Sequence, residues 1–202
     1  MLKEKQNSCK VHMVNIWKAL LNIIMKRDLL EDIKIIVPES FWDDRGNFSE
    51  NFNQKKFNET TNTNFSFVQD NKSFSKKGVF RGLHYQINQP QGKLVQVLSG
   101  EVYDVVVDLR ESSESFGDWM GIILSGQNNI QLWVPPGFAH GFLVMSEIAE
   151  FFYKVTDYWS KDDERCIKWD DEKIRIEFPD IPKSISESDQ KGTSFADAEY
   201  FL

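Results

Sequence analysis

The chain carries three histidines, His12, His84 and His140. Histidine is the side chain whose ordinary titration lies nearest neutral pH, so acid–base or metal chemistry is sought there first. His84 stands in Val79-Phe80-Arg81-Gly82-Leu83-His84-Tyr85-Gln86, and His140 in Pro135-Pro136-Gly137-Phe138-Ala139-His140-Gly141-Phe142. Two cations accompany the first: Arg81, three residues earlier, and Lys93, after Gln91-Gly92. The spacing keeps Arg81 near His84, although strict strand alternation puts them on opposite faces. Each signal alone has a bland reading. The histidines suit hydrogen-bonded structural roles, the cations a solvated rim, and Tyr153, beside Phe151 and Phe152, a core aromatic with its hydroxyl satisfied at a barrel end. His12 has no motif around it. A metal site is disfavoured, because a metal-binding barrel shows two histidines on alternate strand residues plus a carboxylate, and position 86 is Gln. Cys9 and Cys166, far apart in sequence, make neither a disulfide framework nor a zinc ligand set, and fit reduced thiols in the cytoplasm.

The elements that must position these residues read as strands. Leu94 to Leu98 alternates before Ser99-Gly100 turns the chain; Val102 to Leu109 follows, with Val105, Val107 and Leu109 on one face and Asp104 and Asp108 on the other. Trp119 to Leu124 and Asn129 to Val134 are expected to pair around Ser125-Gly126-Gln127-Asn128, and Ala149 to Tyr158 alternates again. Helical signal is confined to Gln54–Thr60 and the termini. Short strands at this spacing indicate an all-β sandwich or barrel. At 202 residues with 41% hydrophobic and 13% aromatic content, one globular core is the default. A net charge of −7 argues against coating nucleic acid, and no run of eighteen apolar residues exists to span a membrane. Residues 1–24 read as an amphipathic or frayed appendage, upstream of a domain over 25–202. The segment Lys183 to Lys191 reads as a polar, irregular tail.

Taken together, seven blocks resemble the dTDP-4-dehydrorhamnose 3,5-epimerase family from about Leu29 to Phe195. They are Phe41 to Glu50, Phe67 to Asn71, Val79 to Gln86, Gln91 to Val95, Gly100 to Val105, Leu132 to Phe142 and Glu150 to Lys154. The resemblance implies a cupin-like jelly-roll β-barrel with short peripheral helices and a metal-free epimerase without cofactor. It implies a homodimer. His84 is similar to the family's general base, Asp189 to the carboxylate that orients it, Tyr153 to the general acid on the opposite face of the sugar, and Lys93 to the residue that steadies an enolate. Arg81, Arg45, Glu50, Gln69, Asn71, His140 and Glu164 fall where the family contacts its nucleotide sugar, with the residues like Arg45 and Glu50 donated across the subunit interface. Two positions depart from the family pattern. Tyr158 is followed by Trp159 where an aromatic pair, often Tyr-Tyr, lies near the thymine ring, and Ser188 precedes Asp189 where Lys is common.

These groups match the chemistry implied. A proton on a carbon beside a ketone is weakly acidic, so removing it needs a base and a positive charge for the developing enolate. Inversion then needs an acid on the other face. The expected reaction turns a nucleoside-diphosphate 4-keto-6-deoxyglucose into its 3,5-inverted partner. The alternatives are inversion at carbon 3 or carbon 5 alone, a different sugar or base, a sugar-nucleotide-binding barrel without catalysis, and a metal-dependent barrel dioxygenase.

Overall fold

The computed structural model describes the backbone of residues 24–25, and residues 30 and 32–202. The expectations for residues 1–23, including Cys9 and His12, lie outside the described residues. In chain order the elements are β1 (Ile24–Met25), β2 (Lys34–Ile36), β3 (Ser40–Asp43), β4 (Gly46–Ser49), α1 (Gln54–Thr61), β5 (Gln69–Lys76), β6 (Val79–Gln86) and β7 (Lys93–Ser99). Then come β8 (Glu101–Asp108), β9 (Trp119–Ser125), β10 (Gln131–Val134), β11 (Phe138–Val144), β12 (Ile148–Val155), β13 (Glu164–Cys166), β14 (Ser184–Ile185) and α2 (Glu187–Gln190).

Two sheets face each other as a jelly roll. One runs β1-β9-β8-β11-β6-β13, with β14 added on β6, and the other runs β2-β10-β7-β12-β5. Val95, Val97, Leu132 and Phe151 from the second sheet meet Val106, Ile122, Leu124 and Phe142 from the first in one core. Each such side chain contributes about 1.5–3 kcal/mol on full burial. The outer face of the first sheet is covered as well. Phe80, Leu83, Tyr85, Tyr103, Val105 and Val107 pack there with Ile167, Ile174 and Phe195 from the C-terminal segment. Cover on both faces explains why β8 is apolar at nearly every position from Val102 to Val107. Phe57 of α1 packs on Leu94 and Trp133 outside the second sheet. Asn53 caps α1, accepting from the backbone N–H groups of Lys55 and Lys56, and Asn62 ends it in the left-handed region at φ 53°.

Two sequence expectations fail here. β9 and β10 do not pair: β9 lies between β1 and β8, and β10 between β2 and β7. The 125–128 segment therefore crosses between sheets, closed by Asn128 Oδ1 accepting from the N–H groups of Ser125 and Ile130, each at 3.1 Å. Ile122 and Leu124 thereby pack against Ile130 and Leu132 across the core, which a flat hairpin would not permit. The Lys183–Lys191 tail is also ordered. It supplies β14 and then α2, which Ser186 caps by accepting from Asp189 N.

Candidate active site

The site begins at a β-bulge. On β6 and β11, His84 pairs with His140 and Arg81 with Phe142, so the step of three residues on β6 matches a step of two on β11. The extra residue cancels the alternation, and Arg81 and His84 line the same cavity instead of opposite faces. Gly82 makes this possible. Its φ is +128°, and a Cβ there would lie 2.5 Å from Gly141 Cα.

The bulge also opens a gap along the edge of β6. β13 covers His84 to Gln86 and β14 covers Val79 and Phe80. Asp189, delivered by α2, fills the space between: its Oδ2 accepts from Gly82 N at 3.3 Å and its Oδ1 lies 2.8 Å from His84 Nε2. The Asp189 carboxylate is buried. Burial alone would raise its pKa, but hydrogen bonding and charge from His84, the Gly82 N–H and Ser186 overcome this and hold it below the usual carboxylate value. With Nε2 committed to the carboxylate, Nδ1 is the ring nitrogen left to take a proton.

The interior cavity, about 260 Å³, joins His84, Arg81, Lys93, His140, Tyr153 and Glu164. Lys93 is buried at the start of β7 and donates from Nζ to the His84 carbonyl at 3.1 Å. Burial pushes its pKa down to about 8, against the opposing pull of Asp104 and Glu164. His140 is fixed by Asp104, with Nε2 3.0 and 2.9 Å from the two carboxylate oxygens. Burial pushes Asp104 upward despite His140 and Lys93. Tyr153 packs its ring 6.0 Å from Phe151. Its pKa is raised by burial and by Glu164, with Arg81 opposing, so the phenol stays protonated. Arg81 Nε donates to Ser75 Oγ at 3.1 Å.

Gln69 and Asn71 lie beside this cavity on β5, where Gln69 Nε2 donates to Asn71 Oδ1 at 2.8 Å and Gln69 Oε1 accepts from Trp159 N at 3.2 Å. Trp159 lines the cavity while its ring remains largely exposed. Gln86 holds the loop beneath it, accepting from Ser160 N at 2.7 Å and donating to the Tyr158 carbonyl at 3.1 Å. Arg45 and Glu50 do not join the others. Arg45 pairs with Asp43 at 2.6 Å on the β3–β4 hairpin, and Glu50 pairs with Lys56 at 2.8 Å.

A second cavity, about 630 Å³, shares Arg81, His84 and Glu164 with the first and adds Cys166, Ser188 and Asp189. Sequence reasoning missed Asp104 and Cys166 as neighbours of the histidines, and Ser73 as part of the interior lining. A carboxylate inside an otherwise apolar strand was the available signal for Asp104. Cys166 gave none, because its position opposite His84 is a matter of strand register. The His84–Cys166–Asp189 grouping has ligand atoms within 4.8 Å of one another. It shows that two cysteines distant in sequence do not by themselves decide whether one thiol joins a potential ligand set.

A histidine–carboxylate pair faces a buried lysine and a protonated phenol across one small cavity, which suits moving protons on carbon beside a carbonyl. Residues 28–197 match the family described as dTDP-4-dehydrorhamnose 3,5-epimerase. The chain belongs to this family. The dTDP-4-dehydrorhamnose 3,5-epimerase of Pseudomonas aeruginosa is 53% identical over 174 residues, covering 85% of this chain and 96% of the relative. Among solved structures of the family, that from Elizabethkingia anophelis superposes with a TM-score of 0.81 at 46% identity, covering 88% of this chain and 99% of the other. A dTDP-6-deoxy-D-glucose-3,5-epimerase from Legionella pneumophila, in complex with dTDP-4-keto-L-rhamnose, gives 0.83 at 44% identity, covering 88% and 95%. Epimerase family membership and the two-sheet jelly roll thus agree.

Proposed function

We propose that the protein inverts carbons 3 and 5 of dTDP-4-dehydro-6-deoxyglucose to give dTDP-4-dehydro-L-rhamnose. The observation that carries this reading is that His84, backed by Asp189 at 2.8 Å, shares one interior cavity with Tyr153 and with Lys93, whose Nζ donates to the His84 carbonyl. His84 takes the proton from the carbon next to the ketone. Lys93 holds the oxygen of the resulting enolate, and its burial strengthens that interaction. Tyr153 gives a proton to the opposite face of the same carbon. Each inversion leaves an imidazolium and a phenolate, which reset through solvent before the second carbon reacts. None of these steps requires a hydride acceptor or a metal. Arg81, His140, Gln69, Asn71, Glu164 and Trp159 bind the nucleotide sugar around this centre.

The working unit in this reading is a cytoplasmic homodimer. Phe41, Trp42 and Phe48 on the β3–β4 hairpin are 56, 54 and 71% exposed, an apolar surface with Arg45 at its turn. Covering it with a second copy would bury these rings and carry Arg45 and Glu50 to the partner's cavity. The reading is tested by incubating the protein with dTDP-4-dehydro-6-deoxyglucose and assigning the product by proton NMR couplings. A product inverted at both carbons supports it; unchanged substrate, or inversion at one carbon, overturns it.

A further inference from the structure

The proton chemistry leaves Cys166 without a task. It faces His84 directly across the β6–β13 pairing, and its Sγ donates to the Gly82 carbonyl at 3.5 Å. Asp189 approaches from α2. One ring nitrogen, one sulfur and one carboxylate oxygen from these residues lie within 4.8 Å of one another, and all three side chains line the same cavity of about 630 Å³. Imidazole, thiolate and carboxylate together are a donor set suited to zinc.

We propose that His84, Cys166 and Asp189 form a binding site for Zn²⁺, and that its occupation switches the enzyme off. Zinc bonds run about 2.0–2.3 Å to such ligands, so the three atoms must draw in by ~1 Å, a movement on the scale of side-chain rotation. Coordination deprotonates the thiol and releases its proton to solvent. The bound ion then sees two anionic ligands, with Glu164 on the same wall; Arg81 opposes it but carries a single charge. The cavity leaves room for water as the fourth ligand. With its imidazole bound to zinc and its carboxylate partner diverted, His84 no longer accepts a proton. The inhibition rests on the proposed role of His84, whereas the binding does not.

The experiment therefore reads both. Co²⁺ added to the full-length protein should give a near-ultraviolet sulfur-to-cobalt charge-transfer band that saturates at one equivalent. The band should persist in Cys9→Ser and vanish in both Cys166→Ala and Cys166→Ser. In parallel, Zn²⁺ should inhibit the wild type reversibly, with activity restored by a chelator. The Cys166 variants, active without zinc, should need more than the ~10–100-fold excess that loss of an outer-shell contact would require. A band that survives loss of Cys166, or equal zinc sensitivity of wild type and variants, overturns the proposal. A Cys166-dependent band without inhibition would overturn the switch and would count against His84 as the base, whereas absence of any band in an active enzyme would refute the site and leave the epimerase reading intact.

Discussion

Replacing Asp189 with asparagine removes one charge from the dyad and keeps its shape. The carboxylate contacts both His84 Nε2, at 2.8 Å, and Gly82 N, at 3.3 Å. An amide keeps the second contact through its carbonyl oxygen while its NH₂ turns to the ring. Two losses follow. The imidazolium formed in the reaction no longer has an anion beside it. Opposite charges about 4 Å apart at an effective dielectric near 20 attract by about 4 kcal/mol. At about 1.4 kcal/mol per decade, that loss slows the reaction ~10³-fold. The NH₂ also forces Nε2 to accept, so the neutral ring carries its hydrogen on Nδ1, where the substrate proton has to go. This second effect adds to the first. KM should change little, because Asp189 stands behind His84 and outside the interior cavity. Single-turnover exchange of the sugar C3 and C5 protons, followed by NMR, measures the rate, with thermal melting as the control for folding. A folded Asp189→Asn variant within ~10-fold of the wild-type rate would refute the dyad reasoning.

Tyr153→Phe keeps the packing against Phe151 and should form the enolate normally, yet inverted product should fall ~100-fold or more for loss of general-acid help. Normal inversion per folded molecule would make Tyr153 a packing residue. Lys93, with its pKa depressed to about 8, loses its charge as pH rises through that value, so kcat/KM should decline above about pH 8. The same depression means the unfolded chain binds the Lys93 proton more readily, so this group's contribution to stability rises between about 8 and the ordinary lysine range. A flat activity profile to pH 10 would count against a charged Lys93. Gly82→Ala should lower stability and abolish activity together, since its Cβ would meet Gly141 at 2.5 Å with φ at +128°; a melting temperature equal to wild type would contradict the account of the bulge.

The parts of the fold legible in the sequence were those decided locally. β7 and β12 announce themselves through alternation, since neighbouring residues alone set them. Which strands join which sheet was not local. β9 and β10 look like a hairpin in sequence, and only the need of Ile122 and Leu132 to meet across one core separates them. The site divides the same way. His84, Lys93 and Tyr153 stood in recognisable blocks, whereas Asp189 lay in a polar tail outside all of them, and the side of the strand on which Arg81 lies depends on a bulge formed with Gly141, far along the chain. Asp104 and Cys166 became visible only once register placed them beside His140 and His84. The expectation for Arg45 and Glu50 concerns a partner subunit, and the single chain leaves both with local ion pairs.

The central claim is that one base, His84, removes protons from two carbons that Tyr153 then reprotonates from the other side. It is tested most directly by running the reaction in deuterated water and locating the label. Product inverted at carbons 3 and 5 should carry deuterium at both, and His84→Ala, though folded, should incorporate none at either carbon. Deuterium entering at both carbons in the folded His84→Ala variant at the wild-type rate, or inverted product free of solvent deuterium, would contradict the account.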